Sequence, residues 1–184
     1  LDALPDLRQR IGSLALDQDE ATTAFVRLVS GLLAVVFEAA DSATDPDISR
    51  ALVALFNFMQ GKELAGQERA LGGGRFASGL AQTSSQQQRQ HLIESQERCF
   101  QVAMHFSDAT VRDAWQIAEK ASPLADLERM RRIGCAPRTD GGLDPDLSQV
   151  WYDACTLRID RMRDVEELLA TRMRSLCVNR IAQA

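Results

Sequence analysis

Two cations lie on a helical stripe that is otherwise apolar. Residues spaced alternately by four and three positions share one face of a helix. From residue 48 that face carries an ordinary buried seam and then four residues of a different kind: Ile48, Leu52, Leu55 and Met59, followed by Lys62, Gly66, Arg69 and Gly73. A buried cation is costly unless it is paired or meets a ligand. Glycine in a helix costs about 1 kcal/mol relative to alanine, and close approach of a ligand is one reason to keep it. The second half of the stripe is therefore a candidate anion-binding site.

A second apolar stripe, near the C-terminus, is interrupted in the same way. Arg158 is its one charged member, and the others are Leu147, Trp151, Cys155, Met162, Val165, Leu169, Met173 and Leu176. Arginine stays charged when buried and presents a planar fork of donors, which matches a planar oxyanion. Arginines on the core faces of two helices therefore predict a small buried anion site formed by Arg69 and Arg158.

A third candidate and the alternatives remain open at this point. Arg129 lies in the charged segment 127–132, where cations at the end of a helix before Gly134 would also favour the helix dipole. Lys62 and Arg69 could instead reach solvent or pair with the neighbouring glutamates 63 and 68. Arg158 could instead form a buried ion pair with Asp160, Asp164 or an acid on another helix.

Residue patterns typical of catalysis are missing from the sequence. There is no nucleophile elbow, P-loop or dinucleotide fingerprint, and the glycines 72–74 follow a helix rather than a strand. The four cysteines lack C-x-x-C spacing and only two histidines are present, so we expect reduced thiols and no zinc site. We therefore expect no catalytic residues, no metal and no cofactor.

Composition indicates one acidic globular domain. Apolar residues make up 45% and charged residues 26% of the 184 residues, and the net charge is −5. An acidic chain without a basic stripe is a poor candidate for binding RNA or DNA directly. The longest apolar stretch, Leu32 to Phe37, is expected to be a buried helix face rather than part of a membrane span. We therefore expect a cytoplasmic protein without membrane contact.

Hydrophobic periodicity predicts an all-α fold. Predicted helices cover residues 2–11, 18–40, 46–71, 84–106, 109–133 with an interruption near Pro123, and 145 to near the C-terminus. The second helix is expected to bury one face, formed by Phe25, Leu28, Val29, Leu32, Val36 and Ala39. Three successive glycines, 72–74, are expected to bend or end the third helix.

The segment Met59-Gln60-Gly61-Lys62-Glu63-Leu64-Ala65-Gly66-Gln67-Glu68-Arg69-Ala70 resembles the NIT domain, a nitrate- and nitrite-responsive sensory module. The resemblance is greatest to the version found in nitrate-responsive transcription antiterminators. It continues at residues 76–79, 127–131, 150–152 and 156–160, and therefore covers most of the chain.

This resemblance implies an up-and-down bundle of two four-helix parts that share long helices, with arginines coordinating nitrate or nitrite. Arg69 is the position matched best, and Arg158, Arg129, Lys62 and Gly66 complete the expected set. It also implies family segments outside this chain: N-terminal helices with an E-R-G type motif, and an ANTAR output domain that binds RNA. We expect a first helical layer over residues 1–72, a second over 84–184, a signal carried by the last helix, and a homodimer. The alternatives are a helical dimerisation or scaffold domain without a ligand, and an RNA-binding helical domain.

Overall fold

The computed structural model describes residues 4–78, 83–135, 144 and 146–183, which form seven helices and no strand. In chain order these are α1 (Leu4–Gly12), α2 (Gln18–Ser42), α3 (Pro46–Ser78), α4 (Thr83–Phe106), α5 (Ala109–Ala121), α6 (Leu124–Cys135) and α7 (Leu147–Gln183). The all-α prediction is confirmed. The predicted break near Pro123 separates α5 from α6.

Aspartates fix where three of the helices begin. Asp17 and Glu20 form a reciprocal capping box at the start of α2. The Asp45 carboxylate accepts hydrogen bonds from the backbone N–H groups of residues 47 and 48 at the start of α3. Asp108 caps α5 by accepting from the N–H of Val111. Each cap satisfies backbone donors that the first helical turn leaves without a partner, so these short polar residues set the helix boundaries.

Two long helices, α3 and α7, run through the molecule and connect two hydrophobic cores. At one end they pack with α4 and α5 around a core of Ala54, Phe58, Ala65, Phe100, Ala103, Val111, Trp115, Ala118, Met162, Val165 and Leu169. At the other end they pack with α6 around Phe76, Leu127, Met130, Trp151 and Cys155. The predicted helical bundle in which long helices are shared by two parts is therefore confirmed, with α4 and α5 completing one part and α6 completing the other.

The glycines 72–74 do not end α3, although the prediction was that they would bend or end it. The helix continues to Ser78. A Cβ atom added at Gly72 would lie 2.3 Å from Cε2 of Trp151, so the absence of a side chain lets the indole of α7 lie directly on the α3 backbone. Trp151 Nε1 also donates a 2.9 Å hydrogen bond to the carbonyl of Arg69. Glycine serves close helix packing here.

The prediction for the buried face of α2 is also wrong. Leu33 and Ala40 are its buried residues, whereas Leu32 and Phe37 are 46% and 56% exposed. Large apolar side chains of α2 are therefore found on exposed as well as on buried positions. By length and composition alone α2 could cross a membrane, with a mean hydropathy of 1.7 over 18 residues, but one such helix is weak evidence for a membrane span. A core helix passes the same test.

Candidate anion-binding site

Four polar side chains lie in the interior at the level between the two hydrophobic cores. This polar layer consists of Glu68 from α3, Gln96 from α4, Arg131 from α6 and Arg158 from α7. Glu68 and Gln96 are each 1% exposed. On α7, Arg158 lies between Cys155 of one core and Met162 of the other. The layer thus brings one residue from each of four helices to a single buried point.

Glu68 is the centre of the polar layer. Its two carboxylate oxygens accept hydrogen bonds of 2.7 Å each from Nε and Nη2 of Arg131. The amide Nε2 of Gln96 donates a further 2.8 Å bond to the same carboxylate. Such bidentate pairs are among the stronger hydrogen-bonded ion pairs, and they fix orientation as well as distance. Burial acts to lower the pKa of Arg131, but the hydrogen bonds and charge of Glu68 outweigh it and raise that pKa.

Arg158 is less completely neutralised than Arg131. Its Nη1 donates a 2.9 Å hydrogen bond to the neutral Oε1 of Gln96 and lies 4.0 Å from Oε2 of Glu68. Burial and the nearby charge of Arg131 together lower the pKa of Arg158. This is the buried ion pair with an acid on another helix that the sequence left as an alternative. Two guanidinium groups therefore share one carboxylate, and Arg158 interacts with it more weakly than Arg131 does.

Arg69 lies half-buried near the polar layer and has neutral partners. Its Nη1 donates a 2.9 Å hydrogen bond to the hydroxyl of Thr156, and its guanidinium lies 4.9 Å from the ring centre of Tyr152. Within the described part of the chain no carboxylate forms an ion pair with Arg69, although Glu68 precedes it in sequence. A guanidinium held by a hydroxyl and an aromatic face keeps its positive charge available to an anion.

Cys155 shows that these charges surround one place in the bundle. Burial raises the pKa of its thiol to about 12, and the nearby Glu68 carboxylate acts in the same direction. Arg131, Arg158 and Arg69 act on the same thiol in the opposite direction. The layer and Arg69 therefore form one electrostatic cluster around α7.

The buried thiol gives a direct test of this environment. Because the thiol titrates near pH 9 when unfolded and near 12 when folded, the unfolded state loses its proton first. The contribution of Cys155 to stability is thus complete below pH 9 and falls between pH 9 and 12. At pH 8 we expect iodoacetamide to alkylate the half-buried Cys177 well before Cys155 in the native protein. Mass spectrometry of digested samples measures the alkylation rates of both cysteines. Equal rates would contradict the burial of Cys155.

The predicted site residues separate into two groups. Arg69 and Arg158 lie in the cluster. Lys62 forms an ion pair with Glu166 of α7 rather than with Glu63, and Gly66 faces open space, with nothing within 4 Å of an added Cβ. Arg129 lies outside this cluster: its side chain is 55% exposed and lies 3.6 Å from Asp126.

Sequence reasoning missed Glu68, Gln96 and Arg131. The signal for Arg131 was present, since it lies four residues after the buried Leu127 and so shares its helix face, whereas Arg129 points away. Glu68 lies next to Arg69 on α3 but off the apolar stripe that was followed. Gln96 is one of many glutamines in α4, and its type alone does not distinguish it.

Comparison with known proteins gives a consistent result. A family model for nitrate and nitrite sensing, NIT, matches residues 1–174. The nitrate regulatory protein of Klebsiella oxytoca is 37% identical over 171 residues, which cover 92% of this chain and 42% of that protein. The structure of the NasR transcription antiterminator matches with a TM-score of 0.85 and 36% identity, covering 94% of this chain and 46% of that one. The chain thus spans less than half the length of either relative. It belongs to the NIT family of nitrate- and nitrite-sensing domains.

Proposed function

We propose that this chain is the nitrate- or nitrite-binding sensory part of a cytoplasmic transcription antitermination regulator. Arg69 and Arg158 contact the ligand between α3 and α7. The observation that carries this proposal is the half-buried guanidinium of Arg69, which forms no ion pair with an acid in the described residues and points its charge toward α7. The relatives, one named as a nitrate regulatory protein and one as an antiterminator, supply the ligand class.

The charge of the cluster supports an anionic ligand. Three guanidinium groups, those of Arg69, Arg131 and Arg158, lie close to one fully buried carboxylate, Glu68. Cations held near one another in a partly buried place repel, and a monoanion between them relieves that repulsion. Nitrate and nitrite are small planar monoanions that fit the donor fork of arginine.

Signal transmission is proposed to pass along α7. This helix contributes Arg158 to the layer and extends through both hydrophobic cores to Gln183. A ligand that holds α3 and α7 together more tightly in one arrangement shifts the population toward it, by no more than its difference in affinity for the two arrangements. In the full regulator, which we propose to be a homodimer, α7 leads to an RNA-binding output domain of the ANTAR type.

The proposal is tested by thermal unfolding in sodium nitrate against sodium chloride at matched ionic strength. A ligand that binds only the native state stabilises it by RT ln(1 + [L]/Kd), about 2.7 kcal/mol at one hundred times Kd. We expect a nitrate-specific rise in Tm that Arg69→Gln abolishes. Arg129→Gln is the matched control, because it removes an exposed arginine from α6 and should leave the rise unchanged. A nitrate response that survives Arg69→Gln would refute the assignment of Arg69.

One observation favours a second role, as an interaction module without a small ligand. Three large apolar side chains in the run from residue 32 to residue 37 of α2 are exposed: Leu32, Val35 and Phe37, at 46%, 67% and 56%. Exposed apolar side chains in such a run are typical of surfaces that contact another protein. The same titration separates the two functions, since a pure interaction module responds equally to nitrate and chloride.

A further inference from the structure

The carboxylate of Glu68 has the same recognition chemistry as the proposed ligand. Like nitrate, a carboxylate is a planar oxyanion that accepts two parallel hydrogen bonds from a guanidinium. Glu68 accepts such a pair from Arg131, at 2.7 Å and 2.7 Å, in a fully buried position. The protein therefore already holds an anion of its own on one of the arginines in this cluster.

The polar layer has two buried cations and one anion in direct contact. Glu68 lies 2.7 Å from Arg131 and 4.0 Å from Arg158. Glu97 acts on Arg131 and Glu119 on Arg158 through their charges, and neither forms an ion pair with them in the described residues. The layer thus contains one more positive than negative charge, and Arg158 is the cation without a closely paired carboxylate.

We propose that Glu68 is an internal competitor for the anion site, an inference that rests on the proposed function. In the ligand-free protein Glu68 occupies Arg131. When a planar monoanion binds at Arg69 and Arg158, it also takes over Arg131, and the Glu68 carboxylate moves closer to Arg158, which then contacts both anions. This exchange leaves two anions against two cations, so no ionised group stays buried without a partner. Gln96, which now donates to Glu68 and accepts from Arg158, follows the exchange.

The exchange changes which helices are tied together. In the structure, Glu68 of α3 is bound most closely to α6 through Arg131. After the exchange its carboxylate binds α7 through Arg158. Binding of the ligand is thereby coupled to the attachment of α7. The Glu68–Arg131 ion pair also weakens the apparent affinity for the ligand, because only the fraction of molecules in which Arg131 is available can bind it.

The test is the nitrate affinity of Glu68→Gln, measured by isothermal titration calorimetry at constant ionic strength. The neutral amide keeps the size of the side chain but no longer competes as an anion. We expect nitrate to bind at least about ten-fold more tightly than to the unchanged chain. Glu63→Gln is the matched control, since Glu63 lies on the same helix and accepts a hydrogen bond from Gln67 of that helix, and it should leave the affinity unchanged.

Equal or weaker nitrate binding by a folded Glu68→Gln protein would overturn the inference and leave the proposed function intact. If Glu68→Gln does not fold, Glu68→Asp replaces it. This change keeps the charge but withdraws the carboxylate from Arg131 by one methylene, and we again expect tighter binding. Absence of nitrate binding by the unchanged chain and by both variants would contradict the proposed function itself, and the inference with it.

Discussion

Gly72→Ala is expected to destabilise the protein by about 3 kcal/mol, the upper part of the usual range for overpacked interiors. The new methyl group would lie 2.3 Å from Cε2 and 2.4 Å from Nε1 of Trp151. The indole is fully buried and its N–H donates to the carbonyl of Arg69, so a shift of the ring disturbs its packing and this hydrogen bond. Either the hydrogen bond or the contact between α3 and α7 must give way. Urea denaturation followed by circular dichroism at 222 nm measures the effect.

Two other glycines of the same helix provide the controls. An added Cβ meets nothing within 4 Å at Gly66 or at Gly73. Alanine at either position should therefore stabilise α3 by about 0.5 to 1 kcal/mol, because alanine restricts the unfolded chain more than glycine does. The critical result is that alanine lowers the free energy of unfolding at position 72 and raises it at position 73. Equal effects at these two positions would show that Trp151 does not lie on the backbone of Gly72.

Arg131→Leu is expected to cost about 3 to 5 kcal/mol of unfolding free energy, the range for removing one partner of a buried ion pair. It leaves the fully buried Glu68 with the Gln96 amide at 2.8 Å and the Arg158 guanidinium at 4.0 Å. The midpoint of urea unfolding, with its slope unchanged, measures the loss.

Arg129→Leu is the control for Arg131→Leu, since it makes the same replacement two residues earlier on α6. Its side chain is 55% exposed and its contact with Asp126 is 3.6 Å, so the change should stay within about 0.5 kcal/mol. A similar loss in both variants would mean that the layer contributes no more than a surface pair. A large loss for Arg131→Leu alone would identify it as the arginine of α6 that belongs to the interior.

The helices could be predicted from the sequence because their signals are local. Asp17, Asp45 and Asp108 stand where caps are needed, and Pro123 stands where α5 ends and α6 begins. The apolar stripe of α7, including Arg158 as its one charged member, is buried as the spacing predicts. Each of these features depends on residues within a few positions of one another, so one sequence is enough to find them.

The polar layer and the packing of α2 could not be predicted in the same way, because both depend on contacts between distant segments. Glu68 and Arg131 are 63 residues apart, and nothing local identifies them as partners. In α2, Leu32 and Leu33 belong to adjacent apolar stripes, and only the position of α3 decides that Leu33 is the buried one. Likewise, Gly72 looks like a helix breaker until Trp151, 79 positions later, is seen to lie against it.

The polar layer also determines how α7 can move relative to α3. One helical turn advances a side chain by about 5.4 Å along the axis. The residues one turn to either side of Arg158 are Ala154 and Met162, and both are buried. Sliding α7 by one turn would put an apolar group beside Glu68 and push the guanidinium of Arg158 into a hydrocarbon environment, where an unpaired charge is strongly disfavoured. The layer thus fixes the axial register of α7 against α3 and opposes a shift by one helical turn. The signal that we propose α7 carries would then travel as a rotation or a bend of the helix.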